Sequence, residues 1–149
     1  MINSNMKIKD NVRVRHYNKD GELLDDYWTH NQTQDAVLDQ VIDALDTGSC
    51  SNIISMAIGT GTGQNAAATA LSSLSSYETG GDVTATQAGD GESVVFSTTF
   101  TAKGAWAIEE AGLFNQANCA NGMNFYDDSI STSMNDGDTI QIDWTVSVA

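Results

Sequence analysis

Positive charge is scarce in this sequence, which has six Lys and Arg residues against 20 Asp and Glu residues and a formal net charge of −14. Nucleic acid and anionic membrane surfaces repel so acidic a chain, and we expect neither as a partner. Few lysines and many aspartates indicate a halophile's protein, because molar salt shortens the Debye length to about 3 Å and screens self-repulsion. The alternative is an acidic mesophilic protein with a cation-bound surface.

Long apolar runs are also absent, since no run reaches the roughly 18 residues that a transmembrane helix needs. Residues 1–15 lack the apolar core of a secretory signal, so we expect no such signal there. The 149 residues, with 40% apolar content, are sufficient for one domain with one core.

Cysteine is limited to Cys50 and Cys119, which cannot define a disulfide framework. Both lie in polar, loop-like surroundings, and the sequence leaves open whether they pair or remain two free thiols. No CxxC motif is present and neither cysteine has a nearby histidine, so redox and zinc chemistry are not expected.

The few positive charges are concentrated at the start of the chain. Residues 1–19 contain five of the six cations and one acidic residue, which gives +4, whereas residues 20–149 carry −18. We interpret residues 1–10 as a basic arm and residues 11–149 as a single β-rich domain. The arm and its neighbouring cations predict an interface with an acidic neighbour, including a second copy of the chain; a solvated end is the alternative. The candidate interface residues are Lys7, Lys9, Arg13, Arg15 and Lys19.

Strand periodicity dominates the rest of the sequence. Val12, Val14 and His16 alternate with polar residues, and the turn sequence at 18–21 leads to a return strand at 22–30, which predicts a hairpin. Further strands are predicted at 77–86, 93–100, 106–114, 123–127 and 139–148. The segment 64–76 is predicted to be a loop. The strand at 139–148 alternates most cleanly, which predicts a buried Trp144 and a strand that closes the sheet.

One helix is predicted at residues 33–46, where Val37, Leu38, Val41, Ile42 and Leu45 form one apolar face. Asn31 or Thr33 is the expected N-cap and Gly48 the expected stop. Strands at this spacing and one helix predict a mainly β fold, a β-sandwich or jelly-roll-like domain with an N-terminal hairpin and one packed α-helix.

The central segment, residues 53–63, combines an apolar run with glycines at 59, 61 and 63. A phosphate-binding loop would need a third glycine at the dinucleotide spacing or a following GK[ST], and neither is present. We therefore interpret the segment as a buried strand that leaves the core where another backbone approaches closely or φ is positive.

Two pairs of titratable residues invite a catalytic interpretation. Glu109 and Glu110 precede an apolar run, so one of them faces inward in a strand, and we expect it to accept backbone or loop hydrogen bonds while the other is solvated. His16 and His30 lie on the two hairpin arms, where we expect them to be near each other without forming a zinc site. No GxSxG motif is present, and we expect neither catalytic residues nor a cofactor.

Four aspartates are weak candidates for binding a cation through carboxylate oxygens, although their spacing matches no EF-hand loop. A purely structural role in turns is the preferred interpretation, and no dedicated metal site is expected. The four candidates are Asp127, Asp128, Asp136 and Asp138.

An ordered set of short motifs resembles those of small structural proteins of tailed viruses of bacteria and archaea. The motifs are His30-Asn31, ISMAIGTGT at 54–62, VFSTTF at 95–100, IEEAGLFN at 108–115 and TIQIDWT at 139–145. The chain differs from these proteins in lacking proline after the GTGT loop, as it contains no proline at all.

This resemblance implies a non-enzymatic protein that oligomerises on a virion and has no catalytic residues or cofactor. Together with the acidity, it predicts a capsid-associated decoration or turret component of a haloarchaeal tailed virus, contacting the major capsid protein. A tail-fibre or baseplate adaptor is the first alternative. A carbohydrate-binding module for host attachment is the second, in which Tyr27, Trp28 or Trp106 would stack on sugars.

Overall fold

Two five-stranded antiparallel sheets make up most of the computed structural model, which describes residues 8–30, 32–48, 52–89 and 93–148. The elements are β1 Ile8–Tyr17, β2 Leu23–Thr29, β3 Gln32–Thr33, α1 Asp35–Thr47, β4 Ser55–Gly59, β5 Leu74–Thr79, a 3₁₀ turn Gly80–Asp82, β6 Thr84–Gln87, β7 Ser93–Thr101, β8 Trp106–Ile108, β9 Glu110–Phe114, β10 Met123–Asp127, β11 Thr132–Met134 and β12 Thr139–Val148. The first sheet has the order β2-β1-β12-β7-β6 and the second β3-β10-β9-β4-β5, while β11 and β8 pair separately.

The main core lies between the two five-stranded sheets. The first sheet contributes inward-facing side chains that include Val14, Phe100 and Trp144, and the second contributes Ile58 and Leu113, all of them buried. Apolar residues at every second position of each strand bring these side chains to one face. The predicted mainly β sandwich with one helix is confirmed.

Strand β12 shows how strict alternation determines the core. Its register places Trp144 opposite Val12 and Ile142 opposite Val14, so that both strands turn the same face inward. Trp144 is fully buried, as predicted. However, β12 lies in the centre of the first sheet, between β1 and β7, rather than closing it at an edge.

Several predicted boundaries differ from the structure. Strand β1 begins at Ile8, so residues 8–10 of the predicted arm belong to the sheet, and residues 1–7 lie outside the described residues. The strand predicted at 77–86 is interrupted at Gly80–Asp82, where the chain passes from β5 in the second sheet to β6 in the first. Strand β5 begins at Leu74, within the predicted loop, and β11 was not predicted.

Helix α1 ends at Gly48 as predicted, but it begins two residues after the predicted start, and less of its apolar face is buried than predicted. Gly48 has a φ of 70°, and its N–H donates to the carbonyl oxygen of Ala44 at 3.1 Å, which ends the helix. The N-cap residue is Gln34 rather than Thr33, which lies in β3, and Asn31 is outside the described residues.

The predicted apolar face of α1 is largely uncovered. Val37 is buried, whereas Val41, Ile42 and Leu45 are 40%, 62% and 79% exposed. Val37 packs into the main core, whereas a second apolar cluster built from the sheet and from loop residues covers the outer face of the second sheet. This cluster consists of Ala57, Leu71, Phe114, Cys119, Met123 and Tyr126.

Candidate functional site

Glu110 is a fully buried carboxylate on the outer face of the second sheet, whereas Glu109 is exposed. Four donors converge on its two oxygens, so the prediction that one glutamate accepts backbone and loop hydrogen bonds is confirmed. The donors are the backbone N–H groups of Gly61 (3.2 Å), Ser72 (3.0 Å) and Ser73 (2.7 Å) and the hydroxyl of Tyr126 (2.9 Å). We call Glu110, these four partners and Gly59 the Glu110 clasp.

The glycines of the clasp allow two backbone segments to touch. A Cβ atom on Gly59 would lie 2.3 Å from the carbonyl oxygen of Ser73, and one on Gly61 would lie 2.6 Å from Cβ of Ser72. The predicted close approach of backbone to the central strand is therefore confirmed. Gly63 has a φ of 84°, which favours glycine for a different reason.

The backbone N–H groups of the glycine loop donate hydrogen bonds to carboxylates of the protein itself. The N–H of Gly61 donates to Glu110, and the N–H of Gly63 donates to Oδ2 of Asp128 at 3.2 Å. Burial and the hydrogen bond to Glu110 raise the pKa of Tyr126, so its hydroxyl remains a donor. The arrangement accounts for the glycine pattern without a bound nucleotide.

The four candidate cation ligands are distributed over two separate turns. Asp127 is fully buried and accepts the hydroxyl of Thr29 and the N–H of Ser129, the latter at 2.7 Å. Its neighbour Asp128 is exposed and accepts the N–H of Gly63. Each carboxylate is thus satisfied by hydrogen-bond donors of the protein.

In the second turn, the buried Asp138 accepts the N–H of Asn135 at 2.9 Å, whereas Asp136 is exposed. This backbone bond, followed by the contact with His16, lowers the pKa of Asp138. Across the ranges that the structure describes, no group of three or more His, Cys, Asp or Glu side chains is arranged to hold a metal ion.

The two histidines are not neighbours, contrary to the prediction. His16 is opposite Asp25 in the hairpin register, and its Nε2 lies 2.9 Å from Oδ2 of Asp138. His30 follows Thr29, which is opposite Val12, and is therefore at the other end of the hairpin. The sequence predicted the two strands but not their register, and it is the register that separates the two imidazole rings.

The two arginines of the predicted basic interface already have acidic partners. Arg13 forms a two-pronged contact with Asp26, from Nε at 2.9 Å and from Nη2 at 2.7 Å, and Arg15 pairs with Asp143. Both pairs lie on the outer face of the first sheet. The Arg13–Asp26 pair is exposed and contributes little to stability, whereas the Arg15–Asp143 pair is partly buried. The predicted interface itself remains a prediction.

The lysines of the predicted interface differ from the arginines. Lys9 and Lys19 are exposed, and the ion pairs found among the described residues do not include either of them. Lys7 lies outside the described residues.

Asp10 is a partly buried carboxylate for which no role was predicted from the sequence. Its Oδ2 accepts the indole N–H of Trp144 at 2.8 Å from the inward face of β1. Burial, supported by the nearby charge of Asp127, raises its pKa from 3.8 to about 6, although the bond from Trp144 acts in the opposite direction. The alternation of Val12 and Val14, extended two residues backwards, would have placed Asp10 on this face.

Of the three aromatic residues considered for sugar stacking, Trp28 has the most accessible ring. It is 61% exposed, and the guanidinium carbon of Arg13 lies 5.8 Å from its ring centroid. Tyr27 is half-buried, and its hydroxyl contacts Thr132 at 2.6 Å. Trp106 is also half-buried and lines an open depression of about 250 Å³.

Cys119 is buried and free, and it adopts a positive φ of 56°. Burial raises the pKa of its thiol to about 12, despite a hydrogen bond with Ser55, so it is a poor nucleophile. Cys50 lies outside the described residues.

In the described part of the chain, no helix is long and apolar enough to cross a membrane; α1 has 13 residues. Compared with known proteins, the chain matches no protein-family model, no curated protein and no solved structure.

Proposed function

We propose that this chain is a non-enzymatic virion structural protein, a capsid-associated decoration or turret component of a tailed virus whose host is halophilic. The Glu110 clasp is the observation that supports this proposal most directly. It joins the two most distinctive motifs of the resemblance, because Gly59 of the GTGT segment pairs with Glu110 of the EAGLF segment. The motif residues thus serve to build the fold.

The surface chemistry supports the halophilic part of the proposal. The chain carries a net charge of −14, and acidic side chains such as Asp20, Asp43 and Asp136 are exposed. A surface of this kind gains from screening in concentrated salt. A particle that works in brine would need such an outer layer.

The test is gold labelling of purified virions with an antibody to this protein, viewed by electron microscopy. We expect label on the head, either evenly spread or at the vertices. Label confined to the tail would replace the capsid assignment with a tail-fibre or baseplate adaptor. Absence of label on both intact and opened particles would refute the virion assignment.

A carbohydrate-binding role is the second candidate, because Trp28 offers an accessible ring beside a guanidinium group. A glycan array in high salt tests this role. A specific hit that Trp28→Ala abolishes and Trp106→Ala leaves intact would favour it, whereas a blank array would count against it.

A further inference from the structure

Helix α1 presents an exposed apolar stripe, formed by Val41, Ile42 and Leu45. The helix packs mainly against β10, and Val37 near its start is buried, whereas every described side chain from Val41 to Thr47 is exposed. The three stripe residues lie at spacings of one, three and four, which brings them to one side of the helix. Clustered apolar side chains on a soluble surface indicate a contact site.

The stripe is surrounded by negative charge. Asp43 and Asp46 are exposed in the same half of the helix, and the last turn contains no basic residue. The helix dipole adds partial negative charge at this end, which no side chain of the last turn offsets. The ion pairs among the described residues involve β1, β2, β12 and the turn before β12, and none involves α1. A partner for this surface should therefore be apolar and positively charged.

The start of the chain itself has this composition. Residues 1–7 include the apolar Met1, Ile2 and Met6 together with Lys7, and the exposed Lys9 follows at the start of β1. A segment of seven residues can span up to about 24 Å, which is enough to cross the stripe. Two copies of α1 pairing with each other would instead bring aspartates together.

We propose that the apolar stripe of α1 binds residues 1–7 of a second copy of this chain, with Asp43 and Asp46 facing Lys7 and Lys9. This inference rests on the proposed function and specifies how copies would associate. The assembly of many copies on a virion, which the proposed function requires, favours a contact between molecules over one within a single chain.

Each contact joins the arm of one copy to the helix of another, so it is either reciprocated in a two-fold dimer or, as a heterologous contact, continues to a third copy. Heterologous contacts close into rings or extend into open arrays, as a lattice or a vertex requires. The stripe has three side chains, against the roughly 20–30 residues per partner of a stable interface, so a single contact is weak. Repetition around a closed ring would strengthen it.

A charge exchange in the full-length chain tests the proposal. The arm variant is Lys7→Glu with Lys9→Glu, and the helix variant is Asp43→Lys with Asp46→Lys. Sedimentation velocity at the lowest salt that keeps the wild type folded should show at least tenfold weaker association for each variant. An equimolar mixture of the two variants should restore association, because each mixed pairing of arm and helix again joins opposite charges.

Matched controls separate this contact from the effect of net charge. Lys103→Glu with Gln87→Glu and Gln116→Glu changes the net charge as the arm variant does, and Asp20→Lys with Asp136→Lys matches the helix variant; all five positions are exposed. Apart from any general effect of the altered net charge, both controls should associate as the wild type does. Equal weakening by controls and variants would overturn the proposal.

The apolar part of the contact is tested by Ile42→Gln with Leu45→Gln. Glutamine keeps helix propensity, and both side chains are exposed, so the fold should persist. We expect association at least tenfold weaker, whereas Leu74→Gln, at an exposed position on β5, should have no effect. Circular dichroism verifies that each variant is folded.

Three outcomes would overturn the inference: a monomeric wild type, variants that associate as the wild type does, and a mixture that stays dissociated. If the wild type is a monomer, the remaining candidate to cover the stripe is residues 1–7 of the same molecule. The gold-labelling result is independent. Labelled virions with an unaffected arm variant would refute the contact alone, whereas unlabelled virions with a restored mixture would refute the virion assignment alone.

Discussion

The hydroxyl of Tyr126 donates a hydrogen bond of 2.9 Å to Oε2 of Glu110, which connects β10 to β9 on the outer face of the second sheet. The same carboxylate accepts backbone N–H groups from both sides of the loop that follows β4. One side chain therefore fixes a loop, a strand end and a neighbouring strand. The buried carboxylate is tolerated because four hydrogen-bond donors satisfy its two oxygens.

Replacing Glu110 with glutamine should destabilise the protein by about 3 kcal/mol or more. The amide nitrogen of glutamine is a donor, and it would face N–H groups that now donate to the carboxylate. Urea unfolding in high salt measures the effect. The exposed Glu109→Gln is the control, with an expected change within about 0.5 kcal/mol; equal effects at the two positions would contradict the structural role of Glu110.

Gly59→Ala should be destabilised by about 3 kcal/mol, because the new methyl group would lie 2.3 Å from the carbonyl oxygen of Ser73. The obstacle is backbone, which cannot move aside as a side chain can. Gly81→Ala has no atom within 4 Å of the new carbon and should be neutral or slightly stabilised. Thermal melts of the two variants provide the comparison, and a tolerated Gly59→Ala would show that the two segments do not touch.

Asp10→Asn should stabilise the protein at neutral pH, because the amide oxygen still accepts the indole N–H of Trp144 without a buried charge. The native pKa of Asp10 is about 6, against 3.8 for the ordinary carboxyl, so between these values the native state binds more protons than the unfolded chain. The free energy of unfolding therefore falls as pH rises through this window. The gain above pH 6 should be up to about 3 kcal/mol.

Urea unfolding of Asp10→Asn at several pH values, compared with the wild type, measures this gain. The difference should be small below pH 4 and should level off above pH 6. Asp136→Asn, at an exposed position, removes the same formal charge and should show no such step. A pH-independent difference for Asp10→Asn would contradict the assignment.

Stability should increase with NaCl concentration, because the net charge of −14 is screened as the Debye length shortens. Melting temperatures from circular dichroism across a salt series measure this increase. An equal ionic strength of a second simple salt separates screening from specific ion binding. A melting temperature that does not change with salt would count against a halophilic origin.

Local periodicity predicted much of the fold. The alternation in β12 identified Trp144 as a core residue, and the glycine pattern at 59 and 61 indicated a close backbone approach; both are confirmed. In each case the deciding information lies within a few neighbouring residues of the sequence.

Contacts between distant elements could not be predicted in the same way. The donors to Glu110 come from residues 61, 72, 73 and 126, and no local pattern indicates that they converge. The amphipathic pattern of α1 correctly predicted an apolar side, but not that most of this side would be exposed while the loop residues Leu71 and Cys119 help to cover the second sheet. An apolar face shows that a partner is needed, without showing which one.

The central position of β12 has a consequence for the order of folding. Its register joins residues 8–17 to residues 139–148, so the first sheet cannot be completed until nearly the whole chain has left the ribosome. Until then β1 has only β2 beside it, and its other edge lacks a partner. Pairing of this kind has high contact order and is slow. A chain truncated before Thr139 would therefore have an open sheet edge and be prone to aggregation.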